Sequence, residues 1–260
     1  MKINKNYLIK SQYKNSTNLE KRINIHKLFS TNKYPWHRWV FDKIKLPAKS
    51  RILELGGGIG LLWSENIRRI PANWQIVVSD FSPGMLKQAK NNLTGIKQMK
   101  FKIVDAQLIP FPNNTFDAVI ANHMLYHVPN LTQALSEIKR VLKPKGTFCA
   151  TTNGRFHLKE LKAMEKKFNL KPNHDFRISN FNLRNGKAIL AKWFPKIKLR
   201  RHQDALLVTK IKPLVNYLQS YTQPITDEKL KAIKKYLAQE IKLKGSIPIT
   251  KDSGIFIANK

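Results

Sequence analysis

The sequence predicts an α/β protein on a seven-stranded, mostly parallel sheet, with helices on both faces and an antiparallel last strand. Three observations predict it. Between residues 51 and 151, five short apolar runs alternate with helical patterns, the signature of repeated βαβ units. The first run ends in Gly56-Gly57-Gly58-Ile59-Gly60, which suits a tight strand-to-helix turn. Two later runs, 196–200 and 205–209, alternate like a charge-guarded edge strand and its antiparallel neighbour.

Residues 1–15 are polar, and a frayed lead-in is expected. Thr17-Asn18-Leu19-Glu20 reads as a capping box opening a helix that runs to Phe29. After a turn-rich stretch, Trp36, Trp39, Val40, Phe41 and Ile44 repeat at helical spacing and stop before Pro47. Residues 51–55 form the first strand, followed by a helix from about Ile59 to just before Pro71. Residues 74–80 are the second strand. Ser82-Pro83 is a helix start, with serine as cap and proline at the first helical position. Residues 101–104 and 116–121 are the third and fourth strands. Leu131, Leu135, Ile138 and Leu142 share one helical face, and residues 147–151 make the fifth strand. Residues 158–168, 186–193 and 227–243 read as helices, and 247–257 as a short extended tail. The expected organisation is an N-terminal helical lid over 1–48, the sheet domain over 49–210 with an insertion at about 153–195, and a C-terminal helical extension and tail over 211–260.

Composition narrows the class. The chain has 260 residues, 42% of them hydrophobic, so it can bury a real core. A single cysteine, Cys149, excludes a disulfide framework and a cysteine-built metal site. No run approaches the length of a membrane span, so a cytoplasmic protein is expected. The formal charge is +32, divided as +10 over residues 1–50, +6 over 51–150 and +16 over 151–260. Such flanks favour anionic partners. With no compact arginine-rich stretch, a solvated lysine surface is the plainer reading.

The chemistry concentrates between Glu54 and Met124. A dinucleotide fingerprint that begins at Gly56 needs a glycine at its sixth position, where this chain has Leu61. The glycines follow G-x-G-x-G instead, preceded by Glu54. Asp80 lies twenty residues beyond Gly60 at the end of the second strand, where an acid can accept from both hydroxyls of a ribose. Asp105 ends the third strand, before Ala106-Gln107, placed to accept from an adenine amino group. Three acids at three consecutive strand ends are far more specific than the glycines.

ILELGGGIG, VVSDFSPGML, VDAQLIPFP, FDAVIANHMLYHV and EIKRVLKPKGTF resemble the ordered motifs of class I S-adenosylmethionine-dependent methyltransferases, of a bacterial small-molecule type. The resemblance covers roughly residues 41–152. It implies a Rossmann-like sheet and S-adenosyl-L-methionine as cofactor, with S-adenosyl-L-homocysteine as product. It also implies that Gly56, Gly58 and Gly60 line the methionine part and that Asp80 holds the ribose. Phe81 and Met85 would flank adenine, Asp105, Ala106 and Gln107 would read it, and Asn122 and Met124 would lie under the methionyl end. Lys145 departs from the glycine often found there, in a surface turn away from the chemistry.

Methyl transfer is an in-line displacement that mainly needs alignment, plus a base where the nucleophile carries a proton. His127, His123 and Tyr126 are the catalytic candidates. Phe29, Tyr34, Trp36 and His37 are candidates for the acceptor side, with Trp39 expected to pack instead. No metal is expected. The loop after the fourth strand, Asn122-His123-Met124-Leu125, lacks the N/D-P-P-Y/F pattern of amino-methylating nucleic-acid enzymes, and Cys149 sits inside a strand rather than beside a proline. A small-molecule N-, O- or C-methyltransferase, monomer or homodimer, is therefore expected. An RNA-directed enzyme docking through its basic flanks is the alternative, and a non-catalytic cofactor-binding scaffold the third reading.

Overall fold

The computed structural model describes residues 13–173 and 180–260. Most of the expected polar lead-in lies outside the described residues, as do residues 174–179 of the expected insertion. Helix α1 (Thr17–Phe29) forms, but without its capping box. Ser16 sits at the N-cap with no side-chain bond, and the Thr17 N–H donates to Asn15 Oδ1 at 3.2 Å. An asparagine two residues earlier competes for the same orphan N–H groups. Helix α2 (Trp36–Lys43) follows Pro35 and turns Val40 and Phe41 inward.

Strands β1 (Arg51–Leu55), β2 (Gln75–Asp80), β3 (Met99–Ile103), β4 (Phe116–Asn122) and β5 (Leu142–Asn153) pair in parallel in the order β3-β2-β1-β4-β5. β1 is buried along four of its five residues, as a central strand covered on both faces must be. The order reverses between β1 and β4, and such a switch point opens a crevice beyond the strands' carboxyl ends.

The helix after β1 is shorter than predicted. Helix α3 (Leu61–Ser64) and a 3-10 turn (Ile67–Arg69) replace one continuous helix. Asn66 Nδ2 donates to the carbonyls of Leu62 at 2.8 Å and His37 at 3.1 Å, a side-chain bond that competes with the helical ladder. Helix α4 (Pro83–Asn92) starts as predicted, with Met85 N–H donating to Ser82 Oγ at 3.3 Å. Helix α5 (Leu131–Val141) buries Ala134, Leu135, Ile138 and Val141, while Leu142 already belongs to β5.

The seventh strand is a correction. β6 (Lys196–His202) is the sheet edge as expected, but β7 (Ala205–Val208) is not its neighbour. β7 leaves the sheet and pairs with β8 (Ile247–Thr250) in a separate two-stranded ribbon. The antiparallel seventh strand is β9 (Ser253–Asn259), read from the sequence as part of an extended tail, and it lies between β5 and β6. Its Ile255, Phe256 and Ala258 are fully buried. Consecutive side chains point to opposite faces, so burying Ile255 and Phe256 together requires cover on both sides. Only a position inside the sheet supplies that.

Helices α6 (Lys159–Lys167) and α7 (Gly186–Ala191) lie between β5 and β6, and α8 (Ile211–Gln219) and α9 (Asp227–Lys244) between β7 and β8. One apolar cluster around Phe116, Phe148 and Phe256 covers one face of the main sheet, and another around Ile52, Trp63 and Ile255 covers the other. A third joins α1, α6, β7, α8, α9 and β8 around Ile25, Leu206, Leu218 and Ile249. A buried ion pair ties this cap together: Asp204 bonds Lys251, the Ser30 hydroxyl and the Asn32 N–H, the last at 3.0 Å. Burial raises the Asp204 carboxyl, but the Lys251 and Ser30 bonds outweigh it and hold the group at about 2. No helix among the described residues is long and apolar enough to cross a membrane.

Candidate functional site

A cavity of about 1550 Å³ opens beyond the carboxyl ends of β1, β2 and β4 and runs under α1 to the cap. Typical small-molecule pockets occupy roughly 300–1,000 Å³, so there is room here for more than one such ligand. Its inner end is built from the glycine turn. Gly56 and Gly58 have φ of +64° and +57°, backbone that favours residues without a Cβ. A Cβ on Gly56 would lie 2.7 Å from the Cβ of Met124. One on Gly58 would meet only Leu19 Cδ2 at 3.7 Å, so its face is open to the cavity. Gly60, with φ of +79°, lies off the cavity, where a Cβ would strike Leu93 Cδ1 at 2.7 Å. The helix-to-turn packing needs that glycine whatever the ligand.

Glu54 is 1% exposed and accepts from Trp63 Nε1 at 2.6 Å and Asn122 Nδ2 at 3.1 Å. Burial pushes its carboxyl up to about 7 against the pull of those two bonds. Asp80 accepts the backbone N–H of Gly58 at 2.9 Å and of Ser82 at 2.8 Å. It too is raised by burial, to about 6. Asp105 closes a turn on Gln107, accepting its backbone N–H at 3.1 Å and its side-chain amide at 3.2 Å. Phe81, Met85, Ala106, Asn122 and Met124 complete this end.

The segment before α1 straps over it. The Tyr13 carbonyl accepts from Ser82 Oγ at 2.6 Å, and the Tyr13 hydroxyl shares a 3.1 Å hydrogen bond with His127 Nε2. His123 sits just past β4 with φ of +48°, a strained conformation for a non-glycine residue. Its backbone N–H donates to Thr151 Oγ1 at 3.0 Å, and its Nδ1 is buried without a hydrogen-bond partner among the described residues. Burial, then the His37 and Lys251 charges, pushes its imidazole down to about 3. Burial pushes the Tyr126 phenol well up.

These features meet in known proteins. A family model described as a methyltransferase domain matches residues 53–150. The chain is 35% identical over 111 residues to a ubiquinone/menaquinone biosynthesis C-methyltransferase from Desulfotalea psychrophila, covering 43% of this chain and 44% of that one. It is 32% identical over 114 residues to the protein of the same description from Ectopseudomonas oleovorans, covering 43% of this chain and 67% of that one. The chain belongs to the class I S-adenosylmethionine-dependent methyltransferases. It spans under half the length of the Desulfotalea relative. In fold, this methyltransferase-family chain matches a methyltransferase-like crystal structure from Bacillus halodurans with a TM-score of 0.61 at 15% identity, over 86% of this chain and 98% of that one. It also matches phosphoethanolamine N-methyltransferase 2 of Haemonchus contortus, solved with S-adenosyl-L-methionine, with a TM-score of 0.61 at 19% identity, over 98% of this chain and 59% of that one.

Most residues singled out from the sequence come together on this family member's cavity wall: all the cofactor-side candidates except Gly60, together with His123, Tyr126, His127, Tyr34, Trp36 and His37. Phe29 does not. It is 8% exposed and packed in the cap cluster. Tyr34 turns its hydroxyl outward to Asp42 at 2.7 Å, and His37 bonds Glu65 at 3.0 Å. Trp36 lies 5.2 Å from the His123 ring and stacks on Trp39 at 5.3 Å, while Trp39 itself packs off the cavity against His202. Cys149 is buried inside β5, and burial pushes its thiol up to about 12. Sequence reasoning missed Tyr13, Arg22, His26, His157, Tyr217 and Lys251, which also line the cavity. They come from segments far apart in the chain, and no local spacing marks them.

Proposed function

We propose that this protein transfers a methyl group from S-adenosyl-L-methionine to a small molecule held inside the cavity. The observation that carries the reading is continuity: one cavity joins the glycine turn and three acids to a chamber walled by α1 and the cap. The residues present fit the cofactor. The open face of Gly58 admits a close ligand, and Asp80, which accepts from the backbone N–H groups of Gly58 and Ser82, has further lone-pair capacity among the roughly four sites of a carboxylate. The remaining sites would accept from two ribose hydroxyls. Asp105, Ala106 and Gln107 would read adenine between Phe81 and Met85. Asn122, oriented by Glu54, would lie with Met124 under the methionyl end.

When bound, the cofactor supplies an electrophilic methyl group on a sulfonium. The chain's own part is to align an acceptor and to manage its proton. His123 is neutral and offers a hydrogen bond to orient a nucleophile, but an imidazole at about 3 is a poor proton sink. His127, bonded to Tyr13, is the better candidate for proton acceptance. Tyr126, held protonated, can donate to the acceptor.

Two aromatic rings that an RNA-binding platform would expose, Trp36 and Trp39, instead stack on each other and meet His202 edge-on. Stacking platforms for single strands need free ring faces. This favours the small-molecule reading over RNA. The cytoplasmic location expected from the sequence remains part of the same proposal. Radiolabelled cofactor incubated with the protein and a cell extract, then split by a small-pore filter, tests it. Label is expected in the small-molecule filtrate. Transfer into the retained RNA would overturn the reading.

A pH dependence follows from the two raised carboxyls. Glu54 and Asp80 move from ordinary values of 4.5 and 3.8 to about 7 and about 6 in the folded chain. The folded state therefore binds their protons more tightly than the unfolded one. The stability they contribute is full below about pH 4 and is lost as the pH rises through about 6 to 7. Ligand binding has the opposite sign, because ribose hydroxyls need an ionised acceptor. Affinity for S-adenosyl-L-homocysteine, measured by calorimetry, is expected to drop as the pH falls from about 8 to about 5. A flat profile would contradict this assignment of Asp80.

A further inference from the structure

Beyond the cofactor end, three rings converge from segments outside residues 53–150: His26 on α1, His157 between β5 and α6, and Tyr217 on α8. The His26 and His157 rings lie 6.5 Å apart with planes 24° from parallel, and Tyr217 meets His26 edge-on at 6.2 Å. His157 and Tyr217 are 9% and 8% exposed, and both line the cavity.

The protonation of His157 follows from its bonding. The Asp252 backbone N–H donates to His157 Nδ1 at 3.2 Å. A backbone N–H can only donate, so Nδ1 is the bare nitrogen. Burial, reinforced by His26, His123, Lys251 and Lys162, holds the ring far below its usual value and therefore neutral. The proton sits on Nε2. Among the described residues nothing accepts from that Nε2–H, and nothing bonds the Tyr217 hydroxyl, which burial also keeps protonated at about 12. A donor on a cavity wall with no protein acceptor leaves its hydrogen bond for a bound molecule to make. Two of them facing one cavity make a site that a ligand would complete.

The sign of the surrounding charge narrows the ligand. Arg22, Arg155, Lys162 and Arg184 line the cavity, as does Lys251, whose charge is already paired with Asp204. Of the carboxylates near these rings, Glu165 already accepts from the Tyr221 hydroxyl at 2.6 Å and Asp204 is held by Lys251. An ammonium placed here would face donors and like charge. An oxyanion would accept from both donors and be drawn by the cations.

We propose that His157 and Tyr217, flanked by His26 and Arg22, recognise the methyl acceptor, and that the acceptor carries an anionic oxygen group, a carboxylate or a phosphate. This rests on the methyltransferase reading above, and the two fail separately. In calorimetry, the full-length protein saturated with S-adenosyl-L-homocysteine is titrated with benzoate, phenyl phosphate, benzamide and benzylamine. At least one of the two anions is expected to bind about tenfold or more tighter than its neutral and cationic counterparts, and which anion wins distinguishes carboxylate from phosphate. Tyr217→Phe removes one hydroxyl that no described protein group uses, so the fold should tolerate it. It and His157→Gln are expected to weaken that anion about tenfold while S-adenosyl-L-homocysteine affinity changes less than about twofold. Failure of S-adenosyl-L-homocysteine itself to bind would sink the methyltransferase reading. Intact S-adenosyl-L-homocysteine binding with no preference for either anion, no binding by any of the four, or anion binding untouched by both variants, would overturn the proposal about the acceptor.

Discussion

Asp80→Ala is expected to weaken binding of S-adenosyl-L-homocysteine by about a hundredfold or more. Each hydrogen bond to a charged group contributes about 1.5–3 kcal/mol, and Asp80 is proposed to hold two ribose hydroxyls. The same carboxylate also holds the loop, accepting from Gly58 and Ser82. Its removal leaves two backbone N–H groups without a partner, at about 1–3 kcal/mol each where water cannot replace it. The variant should therefore melt earlier as well as bind worse. Asp80→Asn separates the effects, because its amide oxygen can still take one loop N–H while the charge is gone. Titration well below the melting temperature reads binding alone. Unchanged affinity in both variants would show that this strand end is not where the ribose sits.

Phe256→Ala is expected to cost about 3–5 kcal/mol, the range for deleting a buried aromatic side chain. At this chain length that lowers the melting temperature by roughly 10 °C. The ring is fully buried, lies 5.7 Å from Phe181 at a steep angle, and fills the space over Gly186, where a Cβ would come within 2.5 Å of it. Deleting it opens a cavity between β9 and α7. Thermal melting by circular dichroism reads the loss. A change of less than about 1 kcal/mol would mean that β9 is a dispensable tail rather than an interior strand. The contrast with Leu207→Ala is informative, since Leu207 is 47% exposed on β7 and should cost far less.

How legible the molecule is from its sequence differs along the chain. Residues 51–151 could be read almost completely. Buried parallel strands appear as unbroken apolar runs, their helices carry a 3.6-residue period, and the acids Glu54, Asp80 and Asp105 sit at strand ends a fixed distance past the glycine turn. Even here side-chain competition was hard to see: Asn15 displaced the capping box at Thr17, and Asn66 cut short the helix after Gly60. After Asn153 the reading weakened. Ala205-Leu206-Leu207-Val208 and the run from Ser253 to Asn259 are both plausible strands, and local pattern does not say which of them pairs with β6.

What the sequence determined by itself was the end of the cavity built on the glycine turn and the strand-end acids, because everything there is set by local spacing within consecutive βαβ units. Where the backbone turns, which residues end the strands, and which helix N-terminus follows are all short-range facts. Tertiary structure alone decided the rest. It placed β9 inside the sheet, because adjacent apolar side chains on opposite faces can be buried together only there. It moved Phe29 into the cap cluster and Gly60 off the cavity. It also brought His26, His157 and Tyr217 within about one ring's reach of each other from three distant segments. Groups that meet only by long-range packing leave no period or motif in the chain, so the wall built by His26, His157 and Tyr217 becomes visible only once the fold has closed over it.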